Sequence, residues 1–224
     1  MPLLTSALAL SCLVLTLIPQ AEQLALTRQA ILAGELWRLW TGHLVHFSSS
    51  QLYLDTAILL LLGTVAEREL GSRFAGVLVL LGMPILAFLL LLLAPNLLEY
   101  RGASGVVMLL AGATGTVLWQ RLPPVRGLLL FLVAALASKA IVDATGMDTT
   151  LTSLPSGVRV AWQAHVCGAV LGWLAACCKL RYSARAVSLA RASASQGALS
   201  VTRLSSIANG QGRSPRNHQA IIDV

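Results

Sequence analysis

An all-α bundle of six membrane spans followed by a basic tail is the fold this sequence predicts, and three observations predict it. First, 56% of the 224 residues are hydrophobic and 11% are charged, whereas a soluble domain carries about a quarter charged residues. Second, the apolar residues fall in six runs divided by short polar or proline-bearing turns. Third, two of these runs carry small residues at four-residue intervals, the spacing by which helices approach closely in a membrane. The net charge of +7 is not a nucleic-acid footprint. Residues 179–224 hold Lys179 and six arginines against the acid Asp223 and so supply most of it. A solvated cytoplasmic tail that touches anionic lipid has this composition.

Residues 3–19 are apolar and long enough to span with little tilt. A signal peptide, the alternative, has a basic start and a small-x-small cleavage site. This run shows neither convincingly and reads as a retained first span. Residues 21–40 form a loop with Glu35, Trp37, Arg38 and Trp40, and aromatics beside an arginine suit the membrane interface. The second span, 44–66, is polar at its start, with His43, His46, Ser48, Ser49, Ser50 and Gln51, and carries Asp55 deeper in. A charged turn, 67–73, leads to the third span, 74–93, in which Pro84 removes a backbone donor and can kink the helix. After a loop at 94–101 the fourth span covers about 103–118. Residues 120–126, with Pro123 and Pro124, make a tight turn before the fifth span, 127–142. Lys139 and Asp143, four residues apart, predict a pair on one helix face. A polar loop at 143–159 precedes the sixth span, 160–178.

The stretch after Tyr182 is rich in Ser, Ala and Arg, which predicts disorder. The chain then divides into a membrane domain, 1–182, with its core at about 34–178, and a tail, 183–224. An N-terminus inside places Arg68, Arg73, Arg121, Arg126, Lys179, Arg181 and Arg185 in the cytoplasm, and Arg28, Arg38, Arg101 and Arg159 outside. Both termini are then cytoplasmic. Cys12, Cys167, Cys177 and Cys178 all lie in apolar runs, without C-x-x-C or His/Cys ligand spacing, so neither zinc nor a disulfide framework is predicted. They read as small buried residues; acylation of Cys177 and Cys178 at a membrane boundary is the alternative.

The hexamer Tyr100-Arg101-Gly102-Ala103-Ser104-Gly105 opens the fourth span. Gly102 lets the backbone turn tightly and approach a ligand. Ser104 falls where unpaired N–H groups and the positive end of the helix dipole are found. Those groups suit the oxyanion that forms when serine attacks a carbonyl. A serine at a helix start is equally an ordinary N-cap. In the sixth run Ala164, Gly168, Gly172 and Ala176 recur every four residues, and the fourth run holds Gly105, Ala111, Gly112 and Gly115. His165 lies a turn or less from Gly168, on much the same side. If the two glycine faces meet, Ser104 and His165 come within hydrogen-bond reach, ~3 Å, at similar depth near the outer face. A hydrogen bond between helices is the alternative for His165.

Gly102-Ala103-Ser104-Gly105 followed, after one intervening span, by His165-x-x-Gly168-x-x-x-Gly172 resembles the rhomboid intramembrane serine proteases. The resemblance covers about 34–178 and includes Trp37-Arg38, His46-Phe47-Ser48, and Gly63 followed by Glu67 and Gly71. The runs Gly34 to Leu39 and Thr41 to His46 most resemble the rhombosortase branch, whose substrates carry a C-terminal anchor after a glycine-rich motif. The resemblance implies Ser104 as nucleophile and His165 as general base, a dyad without a third acid. It implies single-span membrane substrates, a site opening outward from the inner membrane of a bacterium, and no cofactor.

Two positions depart from the family pattern. Rhomboids place a histidine and an asparagine on the second span as oxyanion donors, where this chain has Gln51 and Asp55. Gln51 can donate from its amide. Asp55 donates only if protonated, which an apolar site favours; no lysine or arginine is placed to pair with it, and the protonated state is the expectation. An ionised Asp55 would act through His165 instead, and a buried carboxyl bonded to a serine or a backbone group is the structural alternative. Where the family often has an aromatic one turn after the serine, this chain has Met108. A rhomboid-like pseudoprotease that binds transmembrane segments without cutting is the alternative reading. A small transporter would show internal repeats with charges shared between halves, and the sequence has neither. His43 and His46 read as interfacial and structural, since a zinc site would want a third ligand.

Overall fold

The computed structural model describes residues 2–145 and 161–210. Its helices are α1 (Leu3–Thr16), α2 (Arg28–Leu32), α3 (Arg38–Thr41), α4 (Ser49–Leu70), α5 (Ser72–Leu93), α6 (Ser104–Arg121), α7 (Arg126–Ala144) and α8 (Trp162–Gly210). The described residues up to Cys178 form one compact unit and those from Lys179 a second. Among the described residues four segments are long and apolar enough to cross a membrane: Ser49–Leu70, Ser72–Leu93, Pro123–Ala144 and Trp162–Ala186. At about 1.5 Å per residue, α1 with 14 residues falls short of a bilayer core of about 30 Å. α6 has 18 residues, and its glycines, threonines and terminal Gln120-Arg121 make it less apolar than its neighbours. α8 continues to Gly210, into the stretch whose composition predicts disorder. The alanines and arginines there are good helix formers. Most of the polar loop read at 143–159, and residues 211–224, lie outside the described residues.

Local chemistry sets where the helices begin and end. α4 starts at Ser49, later than the apolar run, because Ser48 is extended and its hydroxyl accepts from the Gln51 N–H at 3.2 Å. The Gln51 carbonyl oxygen reaches back to accept from the Phe47 N–H at 3.0 Å. This reciprocal arrangement resembles a capping box, with the Gln51 side chain reaching one residue past the cap. It turns residues 42–48 into a connection, so His43 and His46 precede the span and do not open it. α4 ends at Leu70 because Gly71 takes φ +84°, a conformation other residues adopt at a cost.

Glu67 is buried and does not sit in a charged turn. Its Oε1 accepts from the Thr5 N–H at 2.7 Å and the Thr5 hydroxyl at 2.6 Å. The carboxylate thereby caps the first turn of α1, where backbone donors are unpaired and the helix dipole is positive. Gly63 makes the approach feasible, since a Cβ there would lie 2.6 Å from the Thr5 side chain.

α5 carries Pro84 in its interior, which leaves the Leu80 carbonyl without its helical donor. The Trp40 indole donates to that carbonyl at 2.9 Å, and the His43 Nε2 bonds the Met83 carbonyl at 3.0 Å. The residue 35–47 segment is thus fastened to α5 around Pro84, with Trp40 filling the carbonyl that the proline leaves open. Arg38 holds the other side of that segment through Glu35 and the Ala25 carbonyl. Leu86, Leu90, Leu109 and Leu110 are fully buried between α5, α6 and their neighbours. In α7, by contrast, Ala140 is the buried residue, while Leu128, Leu130, Phe131 and Val133 are exposed.

Candidate functional site

The loop before α6 is fixed from three directions. Tyr100 exchanges backbone hydrogen bonds with Leu26, at 3.1 and 2.9 Å, in an isolated antiparallel bridge. The Gly102 N–H donates to the Gly42 carbonyl at 3.2 Å, and the Tyr100 hydroxyl donates to the Gly102 carbonyl at 2.9 Å. Gly102 itself has φ +131°, and a Cβ on it would lie 2.5 Å from the Gln51 Nε2. Glycine is required there both for its backbone conformation and for the space it leaves to Gln51. The chain then enters α6 at Ser104, whose position as first helical residue leaves its N–H without a partner inside the helix.

α8 meets α6 backbone to backbone. A Cβ on Gly168 would collide with the Gly105 carbonyl oxygen, one on Gly172 with the Leu109 carbonyl oxygen, and one on Gly112 with that of Ala169. This contact brings the half-buried His165 to half-buried Ser104, with Nε2 3.0 Å from Oγ. A hydroxyl hydrogen-bonded to an imidazole nitrogen is the arrangement in which the ring can take the hydroxyl proton as the oxygen attacks. Met108 lies one turn beyond Ser104, and its Cβ is 3.2 Å from where a Gly168 Cβ would be.

α4 supplies the facing wall. The Gln51 amide, held at its oxygen by the capping box, donates from Nε2 to the Arg101 carbonyl at 3.2 Å. Asp55 is buried, and its Oδ2 accepts from the Ala103 N–H at 3.0 Å. The same Oδ2 is 3.3 Å from the His46 Nε2, which is also 3.4 Å from the Ala103 nitrogen. Asp55 therefore is not an isolated carboxyl. It is an engaged acceptor with an imidazole beside it. Arg101 pairs with Glu99 and lies over the Phe47 ring at 4.8 Å.

Behind the loop, His43 is fully buried against Tyr100, ring centroids 5.2 Å apart. Burial pulls the His43 pKa down to about 4, against a smaller opposing effect of its bond to Met83. Burial, and after it the charge of Asp55, push the Tyr100 phenol above its usual range. On α7, Lys139 bonds both oxygens of Asp143, at 2.8 and 2.9 Å. Among the described residues no group of three His, Cys, Asp or Glu side chains is placed to hold a metal ion.

The structure thus gathers Ser104, His165, Gln51, Asp55, Gly102, Gly105 and Gly168 around one helix start, while Gly172 packs further along α6 against Leu109 and Ala113. Sequence reasoning takes His46 as interfacial and structural and leaves it out of this group. His46-Phe47-Ser48 belongs to the family resemblance, but the contact with Asp55 is made by the turn at 42–48, which the sequence does not show. Ser48-x-x-Gln51 is a readable signal of the cap that orients Gln51. Pro84 likewise signals a freed carbonyl at Leu80, which a donor such as Trp40 must fill. A family model described as a Rhomboid domain matches residues 33–182. No curated protein matches the chain.

Proposed function

The chain belongs to the rhomboid family, whose members are generally serine-type intramembrane proteases, and from that premise we propose that it is a serine endopeptidase cutting the transmembrane anchors of membrane proteins with Ser104 and His165. The observation that carries this reading is the 3.0 Å contact between the Ser104 Oγ and the His165 Nε2 at the start of α6. His165 takes the hydroxyl proton as Oγ attacks the scissile carbonyl, then gives it to the leaving amine. Water releases the acyl group by the same route in reverse. Negative charge on the carbonyl oxygen is met by the free N–H at the helix start and by Gln51. The Gln51 amide has two protons, one on the Arg101 carbonyl, and the second is its donor to the substrate. Gly102 keeps that amide within reach.

The substrates are single-span proteins, and the Gly34 to His46 sequence favours the rhombosortase-like branch. Six helices, α1 and α4 to α8, count as spans of a membrane domain at 1–182, with both termini on the cytoplasmic side of an inner membrane, the basic tail among them, and the site opening outward. Asp55 and Met108, which depart from the family pattern, favour one second reading: a pseudoprotease that holds transmembrane segments without cutting them.

The test is covalent labelling by a fluorophosphonate in detergent. Wild type is expected to label and Ser104→Ala and His165→Ala to fail, all three remaining folded by size-exclusion chromatography. Folded wild type that does not label would sink the protease reading in favour of the pseudoprotease.

A further inference from the structure

Beneath the Ser104–His165 pair lies a second pair that the proposed reaction does not use. The His46 side chain is 1% exposed and that of Asp55 9%, with Nε2 and Oδ2 3.3 Å apart. Cys12, Leu52 and Ala103, with Leu44 beside them, form an apolar cluster around this part of α4. The Ala103 N–H, one residue before Ser104, points at the pair and donates to Asp55 at 3.0 Å.

The three polar groups meet at one point. The Ala103 N–H lies 3.0 Å from the Asp55 Oδ2 and 3.4 Å from the His46 Nε2, and Nε2 is 3.3 Å from Oδ2. In an apolar place a polar group that loses its hydrogen-bond partner is costly, so each of the three depends on the other two.

We propose that His46 is a positioning residue that acts through Asp55: it orients the carboxylate that grips the Ala103 N–H, and so fixes the backbone that delivers Ser104 to His165. This rests on the protease reading for its consequence in catalysis, though not for the pairing itself. The conservative replacements follow from the chemistry. Asn at 55 keeps an oxygen acceptor for the Ala103 N–H. Gln at 46 keeps an N–H donor. Leu at 55 and Phe at 46 keep volume and lose the bond.

The experiment compares hydrogen–deuterium exchange of the peptide containing Ala103 with the rate of fluorophosphonate labelling, in full-length wild type, Asp55→Asn, Asp55→Leu, His46→Gln and His46→Phe. Exchange is expected to be slow in wild type, Asp55→Asn and His46→Gln, and faster in Asp55→Leu and His46→Phe. Labelling is expected to slow about tenfold or more in the latter two, the scale of a buried polar group left without its partner. Asp55→Asn and His46→Gln should recover most of that rate. Unchanged exchange in His46→Phe, or loss in His46→Gln as deep as in His46→Phe, would overturn the proposal. If wild type fails to label while the exchange pattern holds, the protease reading has failed and the pairing stands.

Discussion

Gly112 and Gly115 sit three residues apart on α6 and look in different directions. A Cβ on Gly112 would run into the backbone of Ala169 on α8, whereas one on Gly115 would make an ordinary contact of 3.8 Å with Leu129 on α7. The same residue type is obligatory on one side of the helix and optional on the other. Side chains can move aside, and backbone carbonyls of a packed helix cannot. The α8 side is the one that mates Ser104 with His165, so its geometry is set by two rigid backbones in contact. The α7 side presents exposed leucines to its surroundings and holds on to the bundle through few buried atoms.

The largest effect should come from breaking the closed side. Gly112→Ala, or Gly172→Ala, has no small adjustment open to it and should cost about 3 kcal/mol or more. In practice Ser104 labelling is lost and the thermal midpoint in detergent drops by many degrees. Full labelling in Gly112→Ala would mean that the helices separate without disturbing the pair, and would dissolve the contrast.

Next comes Gly102→Ala, where the fault is in the loop and not the seam. Its φ of +131° is strained for alanine, and the Gln51 amide must also give way. Such strain costs about 1–3 kcal/mol. Labelling should slow by about tenfold while the thermal midpoint falls less than in Gly112→Ala. Equal loss of stability in the two would place the loop and the seam in one mechanical unit.

A smaller effect concerns pH. An unfolded histidine takes a proton below about 6.5, but buried His43 does so only near pH 4. Across that window the unfolded chain binds more protons, so stability falls as pH falls. The thermal midpoint should drop between pH 7 and pH 5, and drop less in His43→Gln, which keeps a donor for the Met83 carbonyl. The same pH dependence in His43→Gln would assign it to other groups.

Least of all, Gly115→Ala should leave labelling intact and stabilise the helix by about 0.5–1 kcal/mol, read as a small rise in midpoint. A loss of stability there would show that α7 packs on α6 as tightly as α8 does.

The helices of the bundle, four of them long and apolar enough to span, were legible because a membrane protein writes them in composition: long apolar runs broken by prolines, glycines and charges. The Ser104 and His165 residues were legible too, as a motif, and so was the chance that two glycine faces meet. Glu67 was misread, placed in a charged turn, because only the docking of α1 shows that its carboxylate caps another helix. The start of α4 was read too early, since hydropathy cannot see the Ser48–Gln51 cap that ends the connection.

His46 and Asp55 mark the boundary between the two kinds of knowledge. From the sequence alone the partner of Asp55 is open among His165, a serine and a backbone group, since no lysine or arginine is placed to pair with it; a backbone group, the Ala103 N–H, is one of the two found. The other is a histidine in an irregular connection, whose path depends on Trp40 filling the carbonyl that Pro84 frees and on His43 bonding that of Met83. Local sequence determines where helices run and which faces carry small residues, because those follow from period and propensity. Which side chain meets a buried acid depends on how a loop is folded over several helices at once, and that is decided only when all of them are packed.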